Sequence, residues 1–107
     1  SQPAQDAAVA SLGEDREIAR RRDETRVGRE RLTAGLFELG LEPLPAVANF
    51  VTVRVGDGAA TASALERRGV IVRPLGGFGD PESIRISVGL PDEIELALRE
   101  LGAVLAA

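Results

Sequence analysis

Two arginines carry the clearest chemical potential in this chain. Arg85 sits inside Ser83-Ile84-Arg85-Ile86-Ser87-Val88, where apolar residues alternate with Arg85 and Ser87. A period of two places Ile84, Ile86 and Val88 on one face of a strand and Arg85 on the other. No acid stands beside Arg85 in sequence. Arg73 ends a second apolar run, just before Pro74 and a glycine-rich segment. A guanidinium offers planar, two-pronged donors that match carboxylate or phosphate. On pattern alone a second reading stays open for Arg85. It pairs with a carboxylate from a neighbouring strand or helix, or it lies in solvent.

The remaining inventory narrows the chemistry. All thirteen basic residues are Arg, and there is no Cys, His or Lys. Without Cys there is no disulfide, thiolate nucleophile or thiolate metal ligand. Without His the commonest general base and metal ligand is missing. Without Lys there is no side-chain amine to form a Schiff base. The inventory therefore argues against a self-contained hydrolase, zinc enzyme or Schiff-base enzyme. A net charge of −4 argues against wholesale nucleic-acid binding. The run Arg20-Arg21-Arg22 lies in a stretch, Gly13 through Glu42, with seven arginines and eight acids. It reads as a solvated helix face balanced at i,i+3 and i,i+4, with Arg22 and Arg26 near Asp23 and Glu30. Arg54, Arg67 and Arg68 read as surface charges. Gly76-Gly77-Phe78-Gly79 lacks the Lys and Ser/Thr of a phosphate-binding loop.

The elements that must position Arg73 and Arg85 follow from periodicity. The 107 residues, 44% of them hydrophobic, make one domain with a small aliphatic core. A short Ala-rich helix is expected over residues 4–12, with Pro3 in its first turn and Gly13 interrupting. A long helix follows over 14–39, with Ile18, Leu32, Leu36, Phe37 and Leu39 as its apolar positions and Gly40 as its stop. Pro43 and Pro45 mark an extended connection. Residues 49–55 predict a strand with Val51, Val53 and Val55 on one face. Gly56-Asp57-Gly58 is a turn that caps a helix over 59–68, ended by Gly69. Residues 70–75 and 83–89 predict two further strands, paired antiparallel through the glycine-rich loop. Pro91 opens a last helix, with Asp92 and Glu93 in its first turn and Leu96, Leu98, Leu101 and Leu105 on its buried side.

The expected fold is α+β in the order α-α-β-α-β-β-α. It is a two-layer small domain, a three-stranded mixed or antiparallel sheet with 83–89 in the middle and helices on one face. No apolar run approaches the ~18 residues of a membrane span. The chain opens at Ser1-Gln2-Pro3 without an initiator Met or a signal peptide, so an excised or processed piece is expected.

Four segments together resemble one family. Pro45-x-x-Ala48-Asn49-Phe50-Val51 is similar to the strand that opens the small domain of histidinol-phosphate aminotransferases. Gly69-Val70-Ile71-Val72-Arg73-Pro74-Leu75 resembles that domain's second strand. Ile84-Arg85-Ile86-Ser87-Val88-Gly89, followed by Pro91-Asp92-Glu93, resembles its final strand and helix start. Residues 4–12 resemble the helix that follows the lysine-bearing domain. The four occur in the right order and cover nearly the whole chain.

The resemblance implies the C-terminal small domain of a fold type I aminotransferase that works as a cytoplasmic homodimer. Residues 1–40 would be its helical interdomain segment and 45–107 its α/β sandwich core. The large domain, which holds pyridoxal phosphate on a Lys, would be absent, so this chain binds no cofactor covalently and catalyses nothing alone. Arg85 would clasp the α-carboxylate of an amino-acid or 2-oxo-acid substrate, and Arg73 its distal phosphate or acid group. Two departures stand out: Leu90 replaces a Thr-like capping residue, and Ile94 replaces a common Asn. The segment 74–79 resembles the branch with broad or aromatic substrates. Two alternatives use the same arginines: a stand-alone regulatory module for small acidic metabolites, and a decarboxylase of amino-acid phosphates. An excised domain should leave its outer sheet face and parts of the first two helices unexpectedly apolar; a free-standing module should keep them polar or close them in a dimer.

Overall fold

A single helix, α1 (Gln2–Glu38), leads into β1 (Phe50–Arg54), α2 (Gly58–Arg67), β2 (Arg73–Pro74), a 3₁₀ turn (Gly76–Phe78), β3 (Ser83–Ser87) and α3 (Pro91–Ala106). The computed structural model describes residues 2–107, with side chains from residue 13 onward. The interruption expected at Gly13 does not occur, and the order is α-β-α-β-β-α. A helical glycine costs only about 1 kcal/mol relative to alanine. Good helix formers flank this one, and nothing lies within 4 Å of where its Cβ would be.

The stops fall where expected. Gly40 and Gly69 both take the left-handed conformation, at φ 84° and 86°. Each closes a Schellman motif. The Leu41 amide donates to the Leu36 carbonyl at 3.1 Å, and the Val70 amide to the Leu65 carbonyl at 2.9 Å. Asp57 caps α2, accepting from the Ala60 amide at 3.0 Å. The cap of α3 is half made. Glu93 accepts from the Leu90 amide at 2.7 Å, but Leu90 has no side-chain oxygen to return the bond.

The sheet order is β1-β3-β2, both pairings antiparallel, with β3 central. Val51, Val53, Ile84 and Ile86 face inward and meet Leu32 and Leu36 of α1, Leu65 of α2, and Leu98 and Leu101 of α3 in one core. The two layers follow from that single apolar sheet face. Ile94 and Ala97 also join this core. Leu105, expected inside, is exposed, and Leu96 is half-buried. Ile18 and Phe37 of α1 are exposed, as is Leu39 just beyond it, and among the described residues every buried position of α1 lies from Gly28 to Leu36.

The strand expected over 70–75 shrinks to Arg73–Pro74. The Schellman motif already holds the Val70 amide, and the Val70 side chain is buried in the core. The chain therefore reaches the sheet late.

Ion pairs link the helices. Arg31 of α1 grips Glu95 of α3 through two hydrogen bonds of 2.7 Å. Arg68 donates to Glu100 at 3.0 Å. Hydrogen bonding from Arg31 holds the Glu95 carboxyl below the ordinary glutamate range, and hydrogen bonding from Arg68, then Arg99, does the same for Glu100. A carboxylate with a depressed folded pKa adds stability that is present above its unfolded value near 4.5 and is lost as pH falls through the folded value. Thermal stability should thus be flat from neutral pH down to about 5 and decline below about 4. A Glu95→Gln, Glu100→Gln double variant should show a shallower decline in the same melting series. An equally steep one would mean other carboxylates dominate the acid limb.

Candidate functional site

The sheet face opposite the helices carries the site. Antiparallel register sets Thr52 opposite Arg85 and Arg85 opposite Arg73, so one row crosses all three strands. The alternation that buries Ile84 and Ile86 turns Arg85 outward. Arg73 reaches the same row from the edge strand. Its position is fixed by Pro74, which pairs with Ile84, and by the Leu75 amide, which donates to the Ser83 carbonyl at 3.1 Å. An open depression here is lined by residues of all three strands, among them Phe50, Arg73, Pro74, Arg85 and Ser87, and by Ile71.

Electrostatically the depression is one-signed. Arg73 and Arg85 are direct cross-strand partners, an arrangement of like charges that opposes pairing. Neither makes an ion pair with a carboxylate among the described residues. The open choice for Arg85 resolves differently from both simple readings. Half-buried, its guanidinium carbon lies 4.2 Å from the centre of the Phe50 ring. Stacking of this kind stabilises the cation while leaving the edge N–H donors available. The arrangement suits an anion with paired oxygens lying across the row.

Several other arginines balance neighbouring carboxylates, although Arg22, expected to share in this, makes no ion pair among the described residues. Arg20 pairs with Glu17 and Glu24, Arg21 with Glu17, and Arg26 with Asp23 and Glu30. Arg54 lies 3.6 Å from Glu82. No cluster of three or more metal-ligating side chains occurs among the described residues. No helix is long and apolar enough to cross a membrane among the described residues.

The strand predicted over 49–55, with Val51, Val53 and Val55 on one face, leaves Phe50 on the other by parity, with no role assigned. Alternation of Phe50 with Thr52 and Arg54 was the available signal, while its meeting with Arg85 depends on register. The exposed Ile71 at the rim was likewise read only as part of a strand.

A family profile described as aminotransferase class I and II matches residues 1–101. The chain is 45% identical over 107 residues to histidinol-phosphate aminotransferase 2 of Ralstonia nicotianae, covering 96% of this chain and 29% of that protein. In fold it superposes on a solved chain from Burkholderia pseudomallei with a TM-score of 0.81 and 32% identity, covering 90% of this chain and 30% of that one. An aspartate aminotransferase variant of Thermus thermophilus gives a TM-score of 0.76 at 26% identity, over 84% of this chain and 26% of that one. The chain thus spans less than a third of the length of the relatives it matches.

Proposed function

This chain belongs to the class I and II aminotransferase family, and from that premise we propose that it is the C-terminal small domain of a pyridoxal-phosphate-dependent aminotransferase of the histidinol-phosphate type. Residues 1–40 form its interdomain segment and 45–107 its sandwich core. The observation that carries this reading is the pair of outward arginines, Arg85 and Arg73, side by side and without carboxylate partners among the described residues. Of the surfaces expected to be apolar, α1 supports it, with Ile18 47% and Val27 51% exposed, whereas the outer sheet face is mainly polar, with Arg54, Arg73 and Ser87 exposed. Ile18 and Val27 lie along a helix about 55 Å long whose first half carries no buried side chain among the described residues.

The donor set does not fit attachment of pyridoxal phosphate, because the chain has no lysine. Attachment falls to the portion of the relatives' length that this chain does not span. The cofactor, when bound, supplies the electron sink for moving an amino group between carbon skeletons. The chain's own contribution is position. Arg85 clasps the α-carboxylate of the amino-acid or 2-oxo-acid substrate in a two-pronged pair, holding the α-carbon in one orientation. Arg73 takes the distal phosphate or acid group. Histidinol phosphate carries a phosphate but no carboxylate, so the α-carboxylate clasped by Arg85 is that of the 2-oxo acid and of the amino acid formed from it. The whole enzyme acts as a cytoplasmic homodimer, and the 107-residue chain alone is inactive.

The test is an amino-transfer assay on the longer protein containing this chain, supplied with pyridoxal phosphate, histidinol phosphate and a 2-oxo acid. Formation of the new amino acid by the longer protein, and none by residues 1–107 alone, is the expected result. Release of carbon dioxide from an amino-acid phosphate without amino transfer would replace the proposal with a decarboxylase. Saturable binding of small acidic metabolites by residues 1–107, with no turnover in any longer form, would replace it with a regulatory module.

A further inference from the structure

Arg85 has one neighbour on its face that repels it and one that attracts it. Arg73, its cross-strand partner in β2, carries the same charge. Phe50, diagonal to it on β1 and opposite Ser87, presents its ring 4.2 Å from the guanidinium carbon. Repulsion from one side and stacking on the other confine a side chain that would otherwise sample many rotamers. Phe50 is itself held from both directions. Its amide donates to the Val47 carbonyl at 3.0 Å, and its carbonyl accepts from the Val47 amide at 3.1 Å. That closes a tight turn through Ala48 and Asn49. Ala48 takes φ 53°, a left-handed conformation that a residue with a Cβ rarely adopts. Arg29 of α1 donates to the Ala48 carbonyl at 2.7 Å and ties the turn to the helix.

We infer that Phe50 is a positioning residue for Arg85. Its ring, fixed by the Arg29-clamped turn, sets the orientation in which the Arg85 guanidinium meets the substrate carboxylate. This rests on the reading of Arg85 as the carboxylate-binding residue and extends it to what aims that residue. Pre-organisation of this kind improves binding by removing the cost of ordering a flexible side chain on association. An aromatic face does so without occupying the edge donors that the carboxylate needs.

Steady-state kinetics on the longer, cofactor-loaded enzyme test this with Phe50→Leu, Phe50→Tyr and Arg85→Ala side by side. The substrate followed is the amino acid derived from the 2-oxo acid, which carries the α-carboxylate that histidinol phosphate lacks. Inhibition by its analogue without that carboxylate is measured in parallel. Phe50→Leu should raise KM for the amino acid about tenfold with little change in kcat, and Phe50→Tyr should stay within about twofold of the parent. Binding of the carboxylate-free analogue should not change in either variant. A Phe50→Leu enzyme with normal KM, beside an Arg85→Ala enzyme with weakened substrate binding, overturns the positioning role and leaves the Arg85 reading standing. Equal losses in Phe50→Leu and Phe50→Tyr, or an equal loss for the carboxylate-free analogue, make the ring a packing element and also overturn it. An Arg85→Ala enzyme with unaltered substrate binding removes the Arg85 reading itself.

Discussion

Arg85→Ala in the longer, cofactor-loaded enzyme should lower kcat/KM for amino-acid substrates by about a few hundred-fold, on the order expected when one half of a two-pronged ion pair is removed. The direction follows from the environment of Arg85. It is half-buried on the central strand, its direct partner Arg73 is also positive, and no carboxylate neutralises it among the described residues. A folded sheet that places two cations opposite each other forgoes favourable cross-strand pairing. An anionic substrate recovers that loss on binding. Arg85→Lys should recover only part of the activity, because an ammonium is a point charge without the planar fork. Kinetics over a range of amino-acid concentration, beside thermal melts of each variant, separate binding from folding. A variant of unchanged stability and kcat/KM within about threefold of the parent would remove Arg85 from the site.

Gly58→Ala should destabilise the 107-residue chain by about 3 kcal/mol, the upper end of ordinary overpacking costs. Gly58 is buried at the first turn of α2, and its amide donates to the Pro81 carbonyl at 2.9 Å. A Cβ built on it would come within 2.4 Å of the Ser83 carbonyl oxygen and 3.1 Å of that of Pro81. Both obstacles are backbone, so no rotamer change relieves them. The helix start would have to move away from β3, the strand that carries Arg85. For a domain of this size the melting temperature should fall by roughly 12–24 °C, read by circular dichroism. Gly35 is also crowded, but there the obstacle is the Leu98 side chain, which can turn aside. Gly35→Ala is therefore the informative comparison. If Gly58→Ala melts no lower than Gly35→Ala, the backbone contact is not what requires a glycine at 58.

Most of the frame was legible from local chemistry. Alternation in Ser83-Ile84-Arg85-Ile86-Ser87 needed only the two-residue period of a strand to send Arg85 away from the core. The stops at Gly40 and Gly69 and the cap at Asp57 are short-range effects, decided within a few residues, and they formed as expected. The central place of β3 followed from short connections and the late return of the chain. The failures were local preferences outweighed by their surroundings. Gly13 was too weak a breaker to divide a helix rich in good formers. The strand expected from residue 70 lost its first residues to the cap of α2 and to burial of Val70.

By itself the sequence determined the chemical limits of this protein: no thiol, imidazole or amine side chain, and arginine as its sole cation. It also determined which strand residues face outward, because that depends on parity along one segment. Tertiary structure alone decided which of those residues meet. Strand register is set by packing of the opposite face against three helices, and no local pattern reports it. That register brings Arg73 beside Arg85 and sets Phe50 against its guanidinium, gathering the two arginines and a phenylalanine on one open sheet face.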